Sequence, residues 1–182
     1  AFRMGLVNIG GEGQFYMGAV GASYVGISLG GSPTAITIAL MCLGGMVFGS
    51  VYAAIVGVLR ARFNTNEIIT SLMMNYLAAI FLNYLIFNSK SFWRDPDSPQ
   101  FPKGKTLNAR ADWNTYSIFG VNLPVAFLIA ILAGSAVWVL YKRTRFGFEV
   151  GVLADSPKAA RYAGIRTTST IVIVMALSGA LA

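Results

Sequence analysis

Thr34 to Leu59 reads TAITIALMCLGGMVFGSVYAAIVGVL, about 26 residues without one charged side chain. At about 1.5 Å per residue a helix over this stretch is about 39 Å long, enough to cross the roughly 30 Å hydrocarbon core of a bilayer. Ile68 to Phe87 and Leu123 to Tyr141 pass the same test, so three membrane-spanning helices are expected. Phe15 to Leu29 is shorter and follows a glycine-rich polar patch, Asn8-Ile9-Gly10-Gly11-Glu12-Gly13-Gln14, itself preceded by apolar Met4 to Val7. Two readings stand side by side: a discontinuous helix, whose irregular backbone must be buried or line a wet cavity, and an ordinary surface loop before a short helix.

Composition agrees with a membrane setting. Hydrophobic residues make up 55% of the chain and charged ones 12%, about half the charge usual in soluble domains. One cysteine, Cys42, and no histidine exclude disulfide frameworks, Cys/His zinc sites and histidine acid–base catalysis, so no metal site is expected. The net charge of +7 comes from residues flanking apolar runs, which reads as topology and not as a nucleic-acid surface. Gly104-Lys105-Thr106 resembles the end of a phosphate-binding loop, but Pro99 stands where that motif needs its first glycine. The chain starts at Ala1 and stops at Ala182 inside an apolar run begun at Ile171, which points to an internal fragment of a longer protein.

Residues 88–122 form a polar stretch with Pro96, Pro99, Pro102, Trp93 and Trp113, expected as an external loop with interfacial tryptophans. This orientation puts Arg3, Arg60, Arg62 and the six cations from Lys142 to Arg166 inside, against Lys90, Arg94, Lys103, Lys105 and Arg110 outside. Residues 142–170 are then a cytoplasmic loop. Within it, Asp155-Ser156-Pro157-Lys158-Ala159-Ala160-Arg161-Tyr162-Ala163-Gly164-Ile165 has the order of a short capped helix: a cap at Asp155 or Ser156, proline in the first turn, a glycine stop. Gly45, Gly49, Ala53 and Gly57 recur every four residues, a smooth strip for close helix packing. Glu67, Ser71 and Asn75 share a helix face that should point into the bundle, where Asn75 serves either a structural bond or a solute. Glu67 also reads as part of a cap in Asn64-Thr65-Asn66-Glu67.

Several of these strings, in order, resemble one family: permease subunits of ATP-binding-cassette importers, in the branch serving simple sugars and nucleosides. They are Asn8-Ile9-Gly10 with Glu12-Gly13-Gln14, Asn66-Glu67-Ile68-Ile69 with Asn75-Tyr76, Phe146-Gly147-Phe148-Glu149, Pro157 to Ile165, and Ser178-Gly179-Ala180-Leu181-Ala182. The Asn66-to-Ile69 and Asn75-Tyr76 pair most resembles the nucleoside-type permeases. The resemblance implies an all-α, polytopic integral membrane helix bundle, residues 1–182 being part of one transmembrane permease domain in a bacterial plasma membrane. It further implies that a coupling helix near 156–164 docks an ATPase subunit through Pro157, Lys158, Ala159, Ala160, Arg161, Tyr162 and Gly164. Asn8, Glu12, Gln14, Ser71 and Asn75 are the expected translocation-pathway residues. The implied partners are that ATPase, which would bind the ATP, an extracytoplasmic substrate-binding protein, a second permease subunit and membrane lipid, with no cofactor in this chain and no nucleic acid. Gly151, Ala154 and Ser156 depart from the arginine, glycine and asparagine expected in relatives. A passive channel is the main alternative. A membrane-embedded enzyme is weaker, for want of a convergent nucleophile and base.

Overall fold

The computed structural model describes residues 1–29, 33–98, 100–107, 115–118 and 121–182. Its helices are α1 (Gly11–Ser28), α2 (Thr34–Phe63), α3 (Glu67–Phe87), α4 (Val125–Arg143), α5 (Arg145–Asp155), α6 (Pro157–Tyr162) and α7 (Thr167–Ala180). A 3-10 turn at Phe2–Met4 leads into them. The segments α2, α3 and Ala126–Arg143 of α4 are each long and apolar enough to cross a membrane. The expected all-α bundle is therefore present. Among the described residues the strands are β1 (Thr115–Ile118) and β2 (Val121–Pro124), a small antiparallel pair in register Thr115 to Pro124. Arg110 and Trp113 of the expected external loop lie outside the described residues.

Long α2 is the spine on which α1, α3 and α7 pack, and small residues let them approach. A Cβ on Gly49 would strike the carbonyl of Gly179, one on Gly57 would come within 3.1 Å of the Val172 Cα, and one on Gly45 within 3.4 Å of the Gly18 carbonyl oxygen. Ala53 in the same strip is fully buried. The four-residue repeat is thus a packing seam shared between α1 and α7.

The turn from α2 to α3 is closed by local chemistry. Asn64 ends α2 in the left-handed region (φ 53°), which asparagine tolerates, and its N–H bonds the Arg60 carbonyl at 3.1 Å. Asn66 caps α3, its side chain accepting from the Ile68 N–H at 2.9 Å. Arg60 then pairs with Glu67 at 3.2 Å and donates to the Thr65 carbonyl at 3.1 Å. Glu67 is a helix-end acid holding a corner, as the cap reading of the sequence has it.

At the opposite end of α3, residues 93–98 and 100–105 fold back over the bundle. Lys105 N–H donates to the Trp93 carbonyl at 2.8 Å, and the Trp93 indole N–H donates to Ser23 Oγ of α1 at 3.1 Å. Tyr24, Phe92 and Trp93 form an aromatic cluster there, with the Lys105 ammonium 4.7 Å from the centre of the Phe92 ring.

The packing seam carries a testable consequence. Gly49→Ala places a methyl against backbone that cannot swing aside, so α2 and α7 must separate, at a cost of about 1–3 kcal/mol. Gly134→Ala in α4 meets nothing within 4 Å and serves as the control. The melting temperature of the full-length detergent-solubilised protein should fall for the first and stay level for the second; equal melting would refute the seam.

Candidate functional site

The polar patch of the sequence sits beside Gly49, close to the midpoint of α2, and therefore deep in the bundle. Residues Gly5 to Gly10 are not α-helical, so their backbone N–H and C=O groups need partners other than a helix ladder. Side chains from α3 supply several. Ser71 Oγ accepts from the Ile9 N–H at 3.3 Å, the Asn75 amide donates to the Ile9 carbonyl at 3.0 Å, and Asn75 Oδ1 accepts from the Gly13 N–H at 2.8 Å. Asn8 closes the turn by accepting from the Gly10 N–H at 3.0 Å.

A second layer ties this break to α1 and α7. Asn8 Nδ2 donates to Gln14 Oε1 at 3.0 Å and to Ser178 Oγ at 3.1 Å, while Gln14 Nε2 donates back to Asn8 Oδ1 at 3.0 Å. Gln14 and Ser71 are buried. Bonds to buried groups such as Gln14 and Ser71 must be kept together, because orphaning a buried partner costs its desolvation. Close approach is again a condition: a Cβ on Gly13 would lie 3.0 Å from the Asn75 Cα, and one on Gly10 3.1 Å from the Ser71 Cβ.

Four of the five residues expected along a pathway are thus brought together: Asn8, Gln14, Ser71 and Asn75. Glu12 is not in the network. It is exposed in the first turn of α1, where the helix N-terminus favours an acid, and Ile9 and Phe15 are exposed near it. Sequence reasoning missed Ser178, although it is the sole polar side chain between Ile171 and Ala182. It also missed Tyr52, whose hydroxyl donates to the Met74 carbonyl at 2.7 Å. Above the network, α1, α2, α4 and the end of α7 enclose an apolar cleft of about 480 Å³ that Gln14 and Phe15 help to line.

The basic segment forms two helices where one was expected. Thr144 caps α5, accepting from the Gly147 N–H at 3.3 Å. Gly147, Val150 and Leu153 give α5 a buried stripe, which the short-helix reading overlooked because the charges at either end dominate the segment. Ser156, and not Asp155, caps α6: its Oγ accepts from the Ala159 N–H at 3.2 Å, with Pro157 in the first turn. The helix ends in a Schellman motif, Ile165 N–H to Ala160 C=O at 3.0 Å and Gly164 N–H to Arg161 C=O at 3.1 Å, with Gly164 at φ +75°. Pro157, Lys158, Ala159, Arg161, Tyr162 and Gly164 face outward, Tyr162 with 94% of its surface exposed. Ala160 alone of the expected coupling residues turns inward, fully buried in a core with Met4, Leu6, Val150, Leu153 and Met175. It seats the helix and has no outward surface to offer a partner.

Three helices long and apolar enough to cross a membrane, a braced backbone break and an outward capped helix define the class as an integral membrane helix bundle, and comparison with known proteins gives its family. The family model described as the permease component of a branched-chain amino acid transport system matches residues 1–182, and the chain belongs to that family. It is 33% identical to a nucleoside ABC transporter permease protein of Lactococcus lactis subsp. cremoris, over 100% of this chain and 51% of the relative. It is 32% identical to a guanosine ABC transporter permease protein of Bacillus subtilis, again over 100% and 51%. A glucose ABC transporter permease protein of Haloferax volcanii is 32% identical, over 99% of this chain and 48% of the relative. The chain spans about half the length of these curated relatives. No solved structure matches it.

If Asn75 holds the break, Asn75→Ala orphans the Gly13 N–H and the Ile9 carbonyl, and full-length protein should lose about 2 kcal/mol of stability. Thermal unfolding measures this. Unchanged melting would mean that the break does not depend on Asn75.

Proposed function

We propose that this chain is a membrane-spanning part of the permease of an ATP-driven importer for nucleosides or simple sugars, coupled to a separate ATPase subunit in a bacterial plasma membrane. The observation that carries the coupling is α6, which presents Lys158, Arg161 and Tyr162 outward from a base fixed by Ala160. Tyrosine and arginine are among the residues enriched at the energetic centres of protein interfaces, which favours a docked partner over a passive channel. In this reading residues 142–170 are cytoplasmic and residues 88–122 external, the latter facing an extracytoplasmic binding protein. A second permease subunit completes the pathway, and ATP binds to the partner ATPase.

The pathway begins at the broken entry to α1. Asn8, Gln14, Ser71 and Asn75 hold its backbone, and Glu12, Ile9 and Phe15 stand where a solute would pass. Such a mixture of carboxylate, aliphatic and aromatic groups suits a neutral, hydrogen-bonding solute with an apolar face. Nucleosides are favoured over simple sugars because the nucleoside and guanosine permeases are among the most similar relatives; amino acids come third.

Two experiments test this. In the full-length protein, Arg161→Glu should reduce recovery of the ATPase subunit about ten-fold or more while the permease remains in the membrane, since a reversed charge at a docked surface costs several kcal/mol. A variant that recovers the ATPase and transports normally would make Arg161 a solvated charge. In the reconstituted complex, ATP-driven uptake of labelled uridine or adenosine should exceed that of ribose and of leucine. Ribose uptake without nucleoside uptake would reverse the preference, and ATP-independent uptake of all three would favour a channel.

A further inference from the structure

We infer that the cleft between the end of α4, the start of α5 and Arg3 binds the phosphate of an anionic phospholipid. The cleft has a volume of about 370 Å³ and is lined by Arg3, Tyr141, Lys142, Thr144, Phe148 and Asp155, among others. Its two cations come from distant parts of the chain. Arg3 reaches it from the N-terminal turn, donating to the Tyr141 carbonyl at 3.4 Å, with its guanidinium carbon 5.6 Å from the centre of the Tyr141 ring. Lys142 turns back along α4, its ammonium 5.2 Å from the centre of the Trp138 ring.

Charges that merely set topology would be solvated separately. Here the Arg3 guanidinium lies over the Tyr141 ring of the lining and the Lys142 ammonium over Trp138, one turn back on α4, and among the described residues none of Arg3, Lys142, Arg143 and Arg145 has a carboxylate within ion-pair distance. The one acid in the lining, Asp155, makes no ion pair with either cation. With two cations to one acid, the lining carries a net positive charge. Basic pockets beside transmembrane helices take phosphate head groups on these terms.

A lipid, and not a free phosphate ester, is the fitting source because of what adjoins the cleft. The surface of α4 running away from Lys142 is apolar, open and bordered by exposed Trp138 and Val139, so acyl chains have a wall to lie on while the phosphate meets the cations. Trp138, Tyr141 and Lys142 are also the residue types that mark a membrane interface. The site is separate from the outward face of α6 and from the polar network, and does not depend on which solute is carried.

The test uses the full-length permease equilibrated with mixed phosphatidylcholine and phosphatidylglycerol, extracted in mild detergent and examined by native mass spectrometry. Wild type should retain phosphatidylglycerol in preference to phosphatidylcholine by about ten-fold or more, as two cations near a lipid surface predict. Arg3→Gln with Lys142→Gln should abolish the preference, Lys142→Arg should keep it, and Lys90→Gln, beyond the far end of α3, should not alter it. Should the double variant not fold, Lys142→Gln alone must still lower the preference. Equal retention by wild type and a folded variant overturns the site. Displacement of the bound lipid by millimolar glycerol 3-phosphate would assign the cleft to a soluble phosphate ester and overturn the lipid.

Discussion

A stretch of irregular backbone packed into a helix bundle must have its inward N–H and C=O groups answered from within the protein, and the answer given at Ile9, Gly10 and Gly13 organises the rest of this molecule. Asn8, Ser71 and Asn75 spend their side chains on main-chain groups, and Gln14 and Ser178 in turn fix Asn8. Each bond contributes little by itself. Their removal costs more, because hydrocarbon offers no substitute partner. The entry to α1 is accordingly a rigid feature, and α1, α3 and α7 are locked to one another at the same depth.

Such a network forms only if the helices come close, and the glycines of α1, α2 and α7 permit that. Gly49 and Gly179 bring two backbones together one layer from Gln14, and Gly13 admits Asn75. Small residues provide the proximity and polar residues the specificity, a division of labour general to helices in lipid, where burial of apolar surface gives no net drive to associate. Large apolar side chains are left on the outside, and α4 has none of its span buried.

The same short entry segment joins the two functional regions. Met4 and Leu6 are buried with Ala160 of α6 and with Val150 and Leu153 of α5, and Asn8 follows two residues later. The outward helix and the polar break therefore rest on opposite ends of one packed unit. Close-packed cores of this kind do not deform continuously, so α5, α6 and the entry segment are held as one body.

The membrane spans, the packing seam, the cap and stop of α6 and the αα corner at Asn64–Glu67 were all legible in the amino-acid sequence. Each rests on local rules of hydropathy, periodicity and capping, which act over one or two helical turns. The polar patch was legible as unusual but not as buried, since a surface loop and an embedded break have the same composition. Only the tertiary structure decided between them, by bringing Ser71 and Asn75 onto its backbone and Ser178 onto the Asn8 side chain, from sequence separations of about 60 to 170 residues. The same holds for α5, whose buried stripe acquires meaning only from Met4 and Leu6, and for Ala160, which the sequence groups with its exposed neighbours and the fold turns inward. Periodicity marks a face; only packing determines what that face meets.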